Sequence, residues 1–267
     1  MRCSLNELFS IIGSNAGAGN FGAEYVRQEE LFGLTEEPKP IVRQYNSGDI
    51  DFTLHYFTRG FCVKKLEGIA RVLFELSRDA FDTALHAWMS EEPVVTEIIR
   101  YCRKVIAAAQ VSGCAAEKAA CDRGDSDTLA VLSSAGRVFH EVHRMMGLMR
   151  FIPGSNGIYT ARCAPDHFIL PVLGEHFTSR FGETAWAVTD EKRNLILCRN
   201  PGEQIKIFPC NDKKTENSAE NSIPDEWETL WKHYHRTINN ESRNNAGLQR
   251  QLMPKRYWKY LSEMEND

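Results

Sequence analysis

Residues whose types and spacing could do chemistry gather in three places. His140-Glu141-Val142-His143 sets two imidazoles three positions apart. On a helix that spacing places both on one face, where together they could grip an ion. The zinc-protease pattern is different, with the two histidines four apart and a glutamate directly after the first. No third or fourth ligand is identifiable, so no metal is assigned, and the plainer reading is a polar face touching solvent or a neighbouring element. The second place is a helix whose apolar stripe, Ile169, Val172, Leu173 and Phe177, also carries His176 and Arg180. An imidazole and a guanidinium on a core-facing stripe must find partners, because an unpaired buried polar group costs several kcal/mol, roughly 2–7. They form either a network that orients the helix or an anion-binding site facing a cleft. Asp190 and Arg193, in the turn between two strands, fit either version. His140, His143, His176, Arg180, Asp190 and Arg193 are thus the catalytic candidates. No Ser/Cys-His-Asp nucleophile motif and no phosphate-cradling loop is visible, although triads are often dispersed in sequence.

The third place is the C-terminal end. From Thr229 to Tyr260 run seven of the chain's 32 cations, namely Lys232, Arg236, Arg243, Arg250, Lys255, Arg256 and Lys259, and one of its 36 acids, Glu241. Trp231, Tyr234, Tyr257, Trp258 and Tyr260 interleave with them, and Asn239, Asn240, Asn244, Asn245, Gln249 and Gln251 add amides. Cations for phosphates, rings for stacking and amides for base edges are the groups with which proteins hold nucleic acid. Arg243, Asn244, Asn245, Arg250, Lys255 and Arg256 are the expected contacts, with Tyr257 or Trp258 stacking on a base. The plainer alternative is a terminal helical pair whose charges are solvated and whose rings are core, with Trp227, Trp231 and Tyr234 expected inside.

These residues need elements to position them. Leu66, Ile69, Ala70, Leu73, Phe74 and Leu76 recur at helical spacing, as do Ile98, Ile99, Cys102, Val105, Ile106 and Ala109, so residues 51–111 read as helices broken at Pro93. The clearest helix covers 129–151, with Val131, Leu132, Ala135, Val138, Phe139, Val142, Met145, Met146 and Met149 on its apolar stripe and His140 opposite. A strand over 157–162, a helix opening at Pro165-Asp166 and running to Phe181, and strands over 186–189, 195–198 and 204–208 follow. The fold class is α+β, mostly helical with a small antiparallel sheet in the second half. Four stretches result: a poorly patterned N-terminal segment (1–50), an α+β core (51–210), a polar loop or linker (211–223) and a basic, aromatic-rich helical segment packed on the core (224–267). Gly17-x-Gly19-x-x-Gly22 matches a dinucleotide fingerprint in letters only. No β-branched strand precedes it and no long amphipathic helix follows, so it reads as a flexible glycine-rich loop.

Composition sets the outer bounds. With 267 residues, 42% hydrophobic and 25% charged, the chain is neither disordered nor low-complexity, and it can bury a sizeable core. Its net charge of -4 gives no overall field for a polyanion. That total conceals a +6 segment over 229–260 and -10 elsewhere. No apolar run approaches the roughly 18 residues of a membrane span, and no signal peptide is evident, so a soluble cytoplasmic protein is expected. The 8 cysteines contain no closely spaced pair, which argues against zinc and iron–sulfur sites and for reduced, mostly structural thiols. No cofactor is expected.

Several segments occur together and in order: Val138-Phe139-His140-Glu141-Val142-His143-Arg144-Met145-Met146-Gly147-Leu148-Met149-Arg150-Phe151, then Tyr159-x-Ala161-x-x-x-Pro165-Asp166-His167, then His176-Phe177-x-x-Arg180-Phe181. Trp186-x-Val188-x-Asp190-x-x-Arg193, Trp231-x-x-Tyr234 and the ending Arg243-Asn244-Asn245 through Gln249 to Met253-Pro254-Lys255-Arg256-Tyr257-Trp258-Lys259 and Glu263 complete them. From about residue 60 to 263 the chain resembles the bacterial "probable DNA metabolism protein" family. That family is linked to a radical-SAM protein of putative DNA modification or repair, and a related domain is fused to uracil-DNA-glycosylase-like domains. The resemblance implies a process, DNA metabolism or repair, and a radical-SAM protein as partner. It assigns no catalytic residues. Radical-SAM chemistry needs a cysteine trio that this chain lacks, so that activity would belong to the partner. Three functions are therefore expected to compete: an accessory protein that binds DNA or docks it to the partner, an enzyme acting on nucleic acid through the His/Arg residues, and an interaction scaffold that binds no nucleic acid.

Overall fold

The structure is a computed structural model and describes residues 3–14, 45–58, 61–154, 157–210, 226–238 and 240–264. The glycine-rich stretch around Gly17–Gly22 and the polar stretch 211–223 lie outside the described residues. The chain divides into two compact units, the first comprising 1–49, 60–140 and 166–168, the second 50–59, 141–165 and 169–267.

The first unit is helical. It holds α1 (Leu5–Gly13), the start of α2 (Ser47–Phe57), α3 (Gly68–Leu76), α4 (Arg78–Met89), α5 (Val95–Ala109), α6 (Gly113–Ala120) and most of α7 (Ser126–Leu148). Helix α1 has clear local causes that the reading of 1–50 as unpatterned passed over. Ser4 and Glu7 form a reciprocal capping box, and Leu5, Leu8 and Ile12 are buried on one face. At its other end the Arg103 guanidinium donates to the carbonyls of Ile11, Ile12 and Ser14, satisfying acceptors that a helix end leaves open. The core around it is Phe81, Trp88, Ile98, Tyr101, Cys102 and Val105, all fully buried. Trp88 Nε1 donates to the Cys3 carbonyl at 3.2 Å. Helix α5 begins two residues after Pro93, as the breaker predicts.

The second unit carries the sheet: β1 (Ile152–Pro153), β2 (Tyr159–Cys163), β3 (Trp186–Asp190), β4 (Leu195–Arg199) and β5 (Lys206–Pro209), in that spatial order. The fold is α+β, as the sequence predicts. The sheet is mixed rather than antiparallel, because β2 pairs β3 in parallel, with Ala161 opposite Val188. A parallel pair needs a crossover, and α8 (Leu170–Phe181) supplies it. Helix α8 starts later than Pro165-Asp166 predicts. Residues 166–168 belong to the first unit, where the Phe168 amide donates to the Met89 carbonyl, and the helix opens with Pro171 in its first turn. Strand β3 alternates strictly, with Trp186, Val188 and Asp190 buried. Leu195 and Leu197 of β4 are buried as well, and α8 packs its Leu173 and Phe177 inward. Gly174 lets α8 approach closely: a Cβ there would stand 3.2 Å from the Ile205 side chain. Among the described residues no helix is long and apolar enough to cross a membrane.

The C-terminal part of the second unit holds α9 (Glu226–Ile238), α10 (Ala246–Leu252) and three single 3-10 segments, Glu241–Arg243, Lys255–Tyr260 and Ser262–Met264. Tyr257, Leu261 and Met264 are its buried side chains.

Candidate functional site

The Asp190–Arg193 pair is the most enclosed polar group that the sequence singled out. Asp190 sits on the buried phase of β3, so its carboxylate must be satisfied from inside. Its Oδ1 accepts from the backbone amides of Lys192 and Arg193 at 2.9 and 3.2 Å, and its Oδ2 accepts from Arg193 Nη1 at 2.9 Å. The same Nη1 donates to the Pro165 carbonyl at 3.1 Å. Both side chains are sealed, at 1% and 0% exposure for Arg193 and Asp190. Burial pushes the Asp190 carboxyl up, against the pull of Arg193. Four hydrogen bonds and no exposed edge make this a structural clasp on the β3–β4 turn. Sealed in this way, the pair offers no open edge to an anion.

His176 and Arg180 lie one turn apart on α8. Arg180 is exposed and His176 half-buried, so the stripe is less interior than its spacing suggests. His176 Nε2 is buried with no hydrogen-bond partner, as are Thr178 Oγ1 and Trp186 Nε1 in the same unit. Burial first, and the Arg180 charge second, hold the His176 imidazole below its ordinary value, so it is neutral at neutral pH. On α7, His140 and His143 are both exposed. Among the described residues no group of three or more His, Cys, Asp or Glu is placed to hold a metal ion. Phe139, assigned to the α7 apolar stripe, is instead exposed.

Between those histidines stands a residue that the chemistry-first reading did not single out. Glu141 is buried at 2% exposure, and its Oε1 accepts a 2.5 Å hydrogen bond from the Tyr257 hydroxyl. Its position carries the signal: an acid three after buried Val138 and four before buried Met145 lies on the interior stripe. Tyr257 therefore does not stack on a base. Its ring is 1% exposed and its hydroxyl is engaged, which corrects the role expected from sequence. Burial, and then the Glu141 charge, push its phenol well above the ordinary value. Tyr257→Phe leaves a buried carboxylate short of a donor and is expected to cost about 1–3 kcal/mol of stability, read from the denaturant midpoint at unchanged m-value.

Two further ties anchor the C-terminal end within this unit. Glu191 accepts from the Tyr260 hydroxyl at 2.5 Å and from Lys259 Nζ at 3.2 Å, and it pairs with Arg162. Glu263 pairs with Arg150 Nη2 at 2.5 Å. Burial opposes the charge on each carboxylate. For Glu191 the Tyr260 and Lys259 hydrogen bonds outweigh it, and for Glu263 the Arg150 bond does, so both carboxyls are held below the usual range. An unfolded glutamate titrates near about 4.3. The stability from both groups is then complete above that pH and is lost as pH falls through the lower folded values. Acid titration of the unfolding midpoint is expected to fall below about pH 4.3, and Glu191→Gln is expected to flatten part of that fall.

The remaining expected contacts are on the outside. Arg243, Asn244, Arg250, Lys255 and Arg256 are exposed. Among the described residues Arg243, Arg250 and Lys255 make no ion pair. Lys255 Nζ lies 5.5 Å from the Trp258 ring centroid, and Arg250 Nε donates to the Ala246 carbonyl of its own helix. Asn245 is the α10 N-cap, its side chain accepting from the Leu248 amide at 3.0 Å, so its amide oxygen is already occupied. Trp258 is half-buried and donates Nε1 to the Met253 carbonyl. The rings expected in the core are the ones outside: Trp231 is 39% and Tyr234 52% exposed, with Leu230 and Ile238 exposed beside them. The Trp227 side chain is not among the described ones. Of the thiols, Cys3, Cys102 and Cys163 are buried, whereas Cys62, Cys114 and Cys121 are exposed, and none of the eight is in a disulfide.

This arrangement is an α+β protein with a clasped sheet turn and a basic, ring-bearing C-terminal surface. The chain belongs to the family described as Domain of unknown function DUF4130, which matches residues 88–263. That span takes in α5 to α10, both buried carboxylate pairs and the exposed cations. No curated protein and no solved structure matches the chain.

Proposed function

We propose that this chain is an accessory protein of DNA metabolism or repair that binds nucleic acid through its C-terminal segment, or docks it to a radical-SAM partner enzyme. One observation carries the reading: Arg243, Arg250 and Lys255 are exposed and, among the described residues, make no ion pair, in a segment of net charge +6. Cations left free of protein acids are available to displace counterions from phosphates. The resemblance to the probable DNA metabolism protein family supports the process and the partner. The test joins two measurements: binding of labelled DNA by the intact chain, and retention of the chain on the immobilised radical-SAM protein with and without DNA. Retention that DNA strengthens supports docking. Retention without any affinity for DNA favours the scaffold, and neither binding nor retention sinks the proposal.

A second reading is favoured by His176. A neutral imidazole with an unpartnered Nε2 has the protonation state of a general base, and because that nitrogen is buried it would act only where substrate binding uncovers it. As an enzyme acting on nucleic acid, the chain would lose turnover in His176→Gln while keeping its affinity.

A further inference from the structure

The exposed rings of α9 point to a more specific ligand, and the inference rests on the nucleic-acid reading above. At 100° per residue Leu230, Trp231, Tyr234 and Ile238 fall on one face of α9, and Lys232 and Arg236 fall on the other. That apolar face is open: the four side chains are between 39% and 57% exposed. Its Trp231 ring is held in place. The Arg150 guanidinium lies 5.5 Å from the Trp231 ring centroid while pairing with Glu263, and Trp231 also hydrogen-bonds Glu263. Tyr234 follows 5.9 Å from Trp231, its plane tilted by 36°.

Charge decides what could cover such a face. Over 229–260 there are seven cations and one acid, against Glu226 and Glu228 at the start of α9 and Glu263 beside Trp231, so the balance still attracts a polyanion and disfavours a basic partner. A duplex turns phosphates outward and keeps its base faces stacked inside, so it has nothing to lay on an apolar ring. A single strand offers both parts, bases for the rings and phosphates for the flanking cations. Arg243 and Arg250, exposed just beyond α9, are the nearest such cations along the chain after Arg236.

We infer that α9 is a stacking platform for single-stranded nucleic acid, with Tyr234 the ring that takes a base and Trp231 the fixed ring behind it. Tyr234 is the useful position to change, because it is half-exposed and, among the described residues, no hydrogen bond ties it to the fold.

Fluorescence anisotropy with a labelled oligothymidylate and with a blunt duplex of the same length tests this on the full chain. The wild type is expected to bind the single strand at least about tenfold tighter than the duplex. Tyr234→Ala is expected to lose about tenfold on the single strand, within the usual range for one stacked base, with duplex binding unchanged. Tyr234→Phe keeps the affinity, and Tyr234→Leu, which keeps apolar area but no ring, does not. Equal affinities for both ligands, or Leu performing as well as Phe, overturn the platform. If Arg250→Ala/Lys255→Ala/Arg256→Ala still weakens binding in that case, the nucleic-acid reading stands without it. If the wild type binds neither ligand, both fall.

Discussion

On the proposed function, replacing Arg250, Lys255 and Arg256 together by alanine is expected to lower affinity for DNA on the order of a hundredfold at about 0.1 M salt. The size follows from counterion release. Each phosphate neutralised contributes a slope of about -0.7 to -0.9 in log K against log salt, so three lost contacts remove roughly 2–3 from the slope. The same slope, run from molar salt down to about 0.1 M, amounts to between two and three decades in affinity. All three side chains are exposed: Arg250 donates to its own helix, Lys255 lies over Trp258, and Arg256 lies over the Tyr257 ring and hydrogen-bonds its side chain. Any cost to folding enters through Arg256 and its tie to Tyr257, and far-ultraviolet circular dichroism and the melting midpoint separate it from the loss of affinity. Affinity and slope must fall together. An unchanged slope with weakened binding would place these residues outside the phosphate contact.

The largest stability effect is expected at the other end of the charge scale. Arg193→Ala strands a fully buried Asp190, and breaking a buried pair from one side costs about 3–5 kcal/mol. Against a typical total of about 5–15 kcal/mol, that is a large share. The variant should also respond to pH in a distinctive direction. Burial raises the Asp190 carboxyl already with Arg193 present, and removing the guanidinium raises it further. A folded value above the unfolded one means that the folded state binds the proton better, so stability rises as pH falls through the folded value. Arg193→Ala thus recovers part of its loss in mild acid, opposite in sign to the Glu191 and Glu263 contributions. Replacing both residues by apolar ones of similar size recovers less than a simple ion pair would. Asp190 Oδ1 also holds two turn amides, and those donors would be left open. Urea unfolding across pH reads both effects. A loss under about 1 kcal/mol would mean that the pair is not the clasp described.

Much of the helical half was readable because its signal is local. The periodic apolar positions of α5 and α7 mark most of their buried faces, with Phe139 the exception, and Pro93 marks the break. Even α1 was written in Ser4-x-x-Glu7, a capping box that a search for apolar runs passes over. The sheet was less readable, since strand direction depends on a partner elsewhere. Trp186–Asp190 reads as a strand from its residues, yet only the α8 crossover makes it parallel to Tyr159–Cys163. The fate of the aromatics was least legible. Trp231 and Tyr257 carry the same preference for burial, and the chain seals one and leaves the other open. What differs is a partner: Tyr257 has Glu141 across 116 positions of sequence, and no spacing rule announces that bond. The catalytic candidates divide on the same principle. Asp190 and Arg193 meet because three residues of a tight turn bring them together. No local rule links the exposed His140 and His143 of α7 to the half-buried His176 of α8.

The central claim is that this mildly acidic chain holds DNA through one basic, ring-bearing surface. Its most direct test is the affinity of the unmodified chain for DNA, measured across salt. The account predicts binding that weakens linearly in log salt, with a slope of about -2 to -4 for three to four engaged cations. A flat response, or no binding at the lowest salt, would contradict it.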